Sequence, residues 1–266
     1  MMRSPFLRAV ALVLGLLALA LTVAWGLWAF VPEARLALIL GNVLLAFGAF
    51  VHAAWLLGWR KAMAFFALAV SLTFILEALS LATGLATPYH YSAILGPRFL
   101  GVPLVVPLGW FSMLYASHVT VNLMVEGSPA GTGRRHGRML WMALLTALAM
   151  TAWDLTLDPY MVRVLGAWVW EQPSGFVQIP FANYVSWLEL TFIIALCFRV
   201  VEHGQPSVAA PRGPRFVLAL PALIYALIGL SGCLLRLPDG LNVLPPFAMA
   251  IAALAALGRL MQMQRS

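Results

Sequence analysis

Residues 60–85 read RKAMAFFALAVSLTFILEALSLATGL. Behind Arg60 and Lys61 the stretch is almost wholly apolar, and Glu77 is the one ionisable side chain in it. About 20 apolar residues are enough to cross the hydrocarbon of a bilayer. A helix is the single-segment structure that satisfies its own backbone there. Arg60 and Lys61 mark one membrane surface, so Glu77 falls in the far half of the span. The stretch predicts a membrane helix that carries a buried acid.

Working outward, helices spanning the membrane are also predicted at 9–31, 36–59, 100–125, 139–157, 180–200, 216–236 and 242–261, with 62–85 as the third of eight. The apolar part of 9–31 is too long for a secretion signal and no small-residue cleavage site closes it, so it reads as a retained helix. The predicted fold is all-α: a polytopic membrane protein of about eight transmembrane helices, forming a single integral membrane domain over 1–266. Its core is 62–200, with flanking helices in 9–59 and 216–261. Composition agrees. The chain is 63% hydrophobic, 9% charged and has a mean hydropathy of +0.94. Soluble domains are roughly 25% charged, so a soluble globule, a disordered chain and a collagen-like fibre are all excluded.

The formal charge of +7 follows the membrane. With the N-terminus inside, Arg3, Arg8, Arg60, Lys61, Arg134, Arg135, Arg138, Arg199, Arg212, Arg215, Arg259 and Arg265 fall on the inner side. Arg35, Arg98, Arg163 and Arg236 fall outside. Cytoplasmic loops carry the excess of Lys and Arg, which puts both termini in the cytoplasm of a multi-pass protein of the cell (inner or plasma) membrane. Nucleic acid is not needed to explain the charge. Cys197 and Cys233 lie inside apolar runs. They read as small core residues rather than a disulfide framework or metal site.

The outer loops 86–99 and 158–179 hold Tyr89, His90, Tyr91, Tyr160, Trp168, Trp170 and Glu171. Two readings stand: an interfacial aromatic belt, or a lid over a cavity open to the outer side. The inner loop 201–215, with Gly204, Pro206, Pro211, Gly213 and Pro214, reads as an irregular connector.

Two stretches echo each other. Glu77, Pro103 and Trp110 have the same spacing as Asp154, Pro180 and Trp187. Pro suits the first turn of a helix, and both units run in–out–in. This is the pattern of a parallel repeat about an axis along the membrane normal; chance alignment in so apolar a chain is the other reading. As a repeat, it puts Glu77 and Asp154 at one depth, facing each other.

Acids inside a bilayer are functional candidates. Glu77, Asp154, Asp158 and Glu189 all fall in its outer half. Asp154 and Asp158, four apart, share a helical face. No basic residue within the spans neutralises them, although Arg98, Arg163 or Arg236 could reach in from the rim. A buried carboxyl without a partner favours its protonated form and can act as a Brønsted acid. The competing structural reading is that these acids pin helices, and Asp158 before Pro159 fits a helix end best.

His52, His90, His118, His136 and His203 show no spacing of three or four. The His clusters of membrane di-iron oxygenases are missing, as is any glycine-rich nucleotide motif. A second Asp-rich cluster, which a magnesium-dependent prenyltransferase needs, is also missing. No metal site is predicted. His118, in mid-helix, reads as a core histidine or a proton carrier.

Two ordered signatures emerge. The first is Glu77, Thr83-Gly84, Pro88-Tyr89-His90-Tyr91, Leu95-Gly96-Pro97, Gly101-Val102-Pro103 and Pro107-Leu108-Gly109-Trp110. The second is Trp153-Asp154-Leu155, Leu157-Asp158-Pro159, Gly166-Ala167-Trp168-Val169-Trp170, Ile179-Pro180, Asn183 and Trp187. Together they resemble the CruF-type carotenoid 1,2-hydratases, which include bisanhydrobacterioruberin hydratases and γ-carotene hydratases. The resemblance covers about 77–190. Ser186 stands where Gly is expected, and Phe176 and Gln178 where Tyr and Gly are expected.

The resemblance implies carotenoid biosynthesis: water adds across the C1–C2 double bond of an acyclic ψ end and gives a 1-hydroxy carotenoid. No cofactor is implied. The implied partners are a carotenoid substrate, membrane lipid and other enzymes of the pathway. The expected catalytic residues are Asp154 as proton donor and Glu77 or Asp158 as water-activating base. Trp110, Trp187, Trp168, Trp170, Tyr89, Tyr91, His90, His118, Asn183 and Glu189 are expected to surround the substrate. A lycopene-cyclase-like enzyme begins with the same protonation. A proton-coupled transporter would use membrane acids as a relay, but Pro103, Pro159 and Pro180 are expected at helix ends rather than as mid-membrane breaks.

Overall fold

A computed structural model describes residues 35–262 apart from 86, 132–135, 176, 205–213 and 232–243, together with parts of 5–16. The helices among the described residues are α1 (Arg35–Leu57), α2 (Trp59–Thr83), α3 (Val105–Glu126), α4 (His136–Arg163), α5 (Phe181–Gly204), α6 (Arg215–Ser231) and α7 (Leu244–Gln262). Short strands β1 (Tyr89–Tyr91), β2 (Arg98–Phe99), β3 (Val102–Pro103) and β4 (Trp168–Trp170) belong to the loops. The protein is all-α. Leu38–Leu57, α2, Gly137–Arg163 and α5 are long and apolar enough to cross a membrane, and shorter apolar helices occupy Arg215–Ser231 and Phe247–Gln262. It is therefore a membrane protein. The helix expected at 9–31 lies largely outside the described residues, as does the end of the one expected at 216–236.

Helix α3 is the hub. It buries side chains around its whole circumference, including the polar Ser112, Ser117, His118, Thr120 and Asn122. A helix buried all round belongs at the centre of a bundle, where polar side chains avoid lipid. It packs on α1, α2, α4, α6 and α7, while α1–α2, α2–α5, α5–α4, α4–α7 and α7–α6 contacts link its neighbours. A second buried cluster caps one end of the bundle, built from Leu38, Tyr91, Leu95, Tyr160, Trp168, Trp170 and Tyr184 among others. The loops that carry β1 and β4 are thus packed structure.

Three expectations need correction. The helix expected from 100 starts at Val105. Before it, β2 and β3 pair as a hairpin, Arg98 opposite Pro103 and Phe99 opposite Val102. Its two turn residues, Leu100 and Gly101, have φ 47° and 82°, as a tight hairpin of that length requires. Pro103 therefore sits in a strand and not in a first helical turn.

Pro159 does not end its helix either: α4 runs through it to Arg163. Proline removes one N–H bond, to the carbonyl four residues back. The turn beyond it is held instead by Val164 and Leu165 N–H on the Tyr160 carbonyl, and by burial of Tyr160 and Met161. The placing of Pro159 at a helix end, used against a transporter, falls away.

Cys197 is exposed on the outer side of α5 rather than in the core. The buried stripe of that helix runs through Tyr184, Trp187, Thr191, Ile194 and Phe198, which turns Cys197 away. Cys233 lies outside the described residues.

Pro221 also lies inside a helix, α6. The carbonyl it frees is that of Val217, four residues back, and His52 Nε2 of α1 meets it at 2.7 Å. A carbonyl only accepts, so Nε2 carries the hydrogen. Nδ1 then accepts from the Tyr115 hydroxyl at 2.6 Å. One imidazole ties α1, α3 and α6 together.

Candidate active site

The buried stripe of α2 runs Ala62, Phe65, Ala69, Thr73, and Glu77 continues it one turn on. The chain then leaves α2 at Gly84, whose φ of 68° forms the left-handed cap, and rises into β1. Strand β1 pairs antiparallel with β4: Tyr89 opposite Trp170, His90 opposite Val169, Tyr91 opposite Trp168. Ser92 N–H to the Ala167 carbonyl and Glu171 N–H to the Pro88 carbonyl extend the ladder. Alternation across a strand sends Tyr89, Tyr91, Trp168 and Trp170 to one face and His90 to the other. That face closes the outer side of a cavity of about 1050 Å³, counted out to its open mouth.

The inner side of the cavity is aromatic. Trp110 of α3 stacks on Trp187 of α5, centroids 4.1 Å apart at 25°, and Trp153 of α4 meets Trp187 edge-on at 5.8 Å. Leu38, Gly41, Asn42 and Leu45 of α1 and Ile228 of α6 complete the wall.

Glu77, Asp158 and Asn183 line this cavity. Both Tyr89 and Tyr91 hydroxyls donate to the same oxygen, Glu77 Oε2, the second at 2.8 Å. Burial pushes both phenols above their ordinary value, and the negative charge of Glu77 pushes the same way. They therefore remain donors at neutral pH. Asn183 Nδ2 donates to Asp158 Oδ2. Asp154, one turn before Asp158, is wholly buried, and neither of its oxygens receives an N–H or O–H from the described residues. Asp158 follows one turn on along the same helical face and acts on it electrostatically, so one proton held by the pair relieves the repulsion between them.

Glu77 is near enough to both aspartates to act on them electrostatically. Arg98 and Arg163 are exposed, and among the described residues neither forms an ion pair with these acids. Arg236 lies outside the described residues. Three carboxyls in apolar surroundings without a cation cannot all be ionised, so the cluster holds at least one proton. Among the described residues no group of three or more His, Cys, Asp or Glu side chains is arranged to hold a metal ion.

Four sequence-predicted residues do not line the cavity: Asp154, buried behind Asp158, and three that lie elsewhere. His90 is exposed on the far face of β1. His118 sits two turns inward of Trp110, edge-on to Phe65 and Phe198, fully buried and without a hydrogen-bond partner among the described residues. It is not the satisfied core histidine expected. Glu189 is exposed on the outside of α5.

The structure adds residues that the sequence reading passed over. Asn42 of α1 lines the cavity, its amide tied to the Leu38 carbonyl at 3.0 Å. Its carbonyl lies where a Cβ on Gly109 would come within 3.1 Å. The signal was there: Asn42 is the first polar side chain inside its apolar helix. Tyr184 has a buried hydroxyl without a partner among the described residues, within electrostatic reach of Asp158 and Asp154. Trp170 Nε1 is likewise buried and unpartnered there.

The sequence matches, over residues 33–257, the family described as Carotenoid biosynthesis protein. The match reaches well beyond 77–190 and takes in α1 to most of α7. No curated protein and no solved structure matches.

Proposed function

Because the chain belongs to the carotenoid biosynthesis protein family, we propose that it is a cofactor-independent carotenoid 1,2-hydratase. The carrying observation is the cavity: Glu77 and Asp158 line it, Asp154 is buried one turn behind Asp158, no cation pairs with them among the described residues, and aromatic faces enclose a space open enough to admit one isoprenoid end group.

In this reading Asp154 supplies the proton through Asp158, the member of the pair that lines the cavity, and C2 of the ψ end is protonated. The C1–C2 π bond becomes a C–H bond, and a tertiary cation is left at C1. The faces of Trp110, Trp187, Trp168 and Tyr89 stabilise that cation through their quadrupoles. Water adds at C1, and Glu77 or Asp158 takes the proton that the oxygen loses. The net change is alkene plus water to tertiary alcohol, and the site regains its proton count.

Capture by an internal double bond would give a ring instead. The unpartnered Trp170 N–H and Tyr184 hydroxyl favour water, because buried polar groups need a hydrogen-bonding partner and an isoprenoid tail supplies none. A transporter needs a path onward, whereas the Trp110–Trp187 stack obstructs the inner side of the cavity. The same reading takes 1–266 as a single domain of eight transmembrane helices with both termini cytoplasmic. The site then faces the outer half of the cell membrane, and membrane lipid and other pathway enzymes are its neighbours.

The test is expression in a bacterium that accumulates a carotenoid with acyclic ends. The product should gain the mass of one water, with oxygen from labelled water at C1. Unchanged pigment alongside verified membrane expression overturns the reading, and a ring at unchanged mass makes the protein a cyclase.

A further inference from the structure

Three contacts join α2–α3 and their loop to α4–α5 and theirs. Tyr91 faces Trp168 in the β ladder. Trp110 stacks on Trp187. Arg199 Nη2 donates to Asn122 Oδ1 at 2.9 Å. In every pair the two residues are 77 positions apart. The contacts lie at the outer lid, beside the cavity and near the inner helix ends, so they are strung along one line through the bundle.

The elements keep the same offset. Helix α2 moved by 77 positions falls on 136–160, inside α4, and α3 moved by 77 positions falls on 182–203, inside α5. Packing has the matching symmetry: α2 touches α3 and α5, and α4 touches α5 and α3. A two-fold axis perpendicular to two equivalent strands reverses one against the other, and β1 and β4 are antiparallel.

We propose that residues 59–204 are a gapless duplication folded about a two-fold axis along the membrane normal, and that its equivalent acids, Glu77 and Asp154, have diverged into base and proton donor. The axis stands on geometry alone, while the division of roles rests on the hydratase reading.

The divergence lies in the neighbours. Glu77 has two phenol donors on one oxygen. The equivalent of Tyr89 in the second half is Gly166, so Asp154 has no such clamp. Asp154 has Asp158 instead, and Asn183 holds Asp158. Their equivalents in the first half are Leu81 and Val106, which can do neither. The first half thus presents a single carboxyl held by two donors, and the second a pair of carboxyls one turn apart.

Two measurements on the full-length protein in membranes test this. In a Cys197→Ser, Cys233→Ser background, Tyr91→Cys with Trp168→Cys should form an intramolecular disulfide on oxidation. The pair is a non-hydrogen-bonded position of the ladder, where side chains stand closest. Asn122→Cys with Arg199→Cys should be joined by a short bis-thiosulfonate. Tyr91→Cys with Val169→Cys should stay unlinked. Failure of both expected links, or equal linking in the control, overturns the axis.

For the roles, membranes in heavy water receive unlabelled ψ-end carotenoid. Wild type should hydrate it. Glu77→Gln should make no alcohol but return substrate carrying deuterium at the end group, since the acid pair still protonates it. Asp154→Asn should do neither, with deuterium uptake at least about 100-fold lower. Equal exchange in both variants, or exchange in Asp154→Asn alone, overturns the division. A wild type that hydrates nothing overturns the hydratase reading, and the cross-links still decide the axis.

Discussion

Tyr91 donates its hydroxyl to Glu77 Oε2 at 2.8 Å, from the strand that closes the cavity to the helix that carries the acid. Closing the lid and setting the acid are therefore one structural event. Tyr91→Phe and Tyr89→Phe each keep the ring and remove one donor. A hydrogen bond to a charged group contributes about 1.5–3 kcal/mol, so each variant should lose roughly tenfold or more in turnover. Alcohol formation per unit of membrane protein is the readout, and full activity in the double variant refutes the clamp.

The same phenols predict a pH behaviour. Both lie above the ordinary 10.0 because of burial, with Glu77 adding to the effect. A raised value means the proton is retained as pH climbs, so the donors persist beyond the pH at which free tyrosine ionises. Ultraviolet titration should give the same tyrosinate signal in wild type and the Tyr89→Phe, Tyr91→Phe double variant up to about pH 10. A smaller signal in the variant refutes it.

Asn183→Ala should leave Asp158 without its amide donor. Leaving a buried acceptor unsatisfied costs about 1–3 kcal/mol, and turnover should fall by a similar factor in energy. Asn183→Asp should be worse, because a fourth carboxyl joins three without a cation. Rates in isolated membranes check both.

Trp187→Ala removes one face of the 4.1 Å stack. Truncating a buried Trp costs about 3–5 kcal/mol, so the melting temperature in detergent should drop clearly. Trp187→Phe should keep most stability while lowering turnover, as a smaller ring stabilises a cation less. Equal turnover for Phe and Trp would remove Trp187 from the cation site.

His52 is held by the carbonyl that Pro221 frees. Pro221→Ala restores an N–H that competes for the Val217 carbonyl. His52→Ala should therefore destabilise wild type more than it destabilises Pro221→Ala. A double-mutant cycle on thermal melts should show about 0.5–3 kcal/mol of coupling, and strict additivity would refute the link.

Much of this was legible in the residues. Apolar length gave the helices, since a span is a local property of some 20 positions. Position along a helix put Glu77, Asp154 and Asp158 toward the same end of their helices, and the structure brings them within electrostatic reach of one another. Side-to-side placement was another matter. The exterior of α2 faces lipid and its interior faces apolar side chains, so its sequence has little amphipathic phase to show which face turns inward. Glu189 and Asp154 look alike in sequence, yet one is exposed and the other wholly buried. His90 and Tyr91 are adjacent, and only strand alternation parts them.

The sequence by itself determined that this is a membrane protein with acids in its spans and aromatic loops at one end, because hydropathy and charge act residue by residue. Only the tertiary structure decided which acids meet. Rotation about each helix axis is set by its packing partners. That packing brings Glu77, Asp154 and Asp158 into electrostatic reach of one another, carries Asn42 to the cavity and leaves His118 out of its lining.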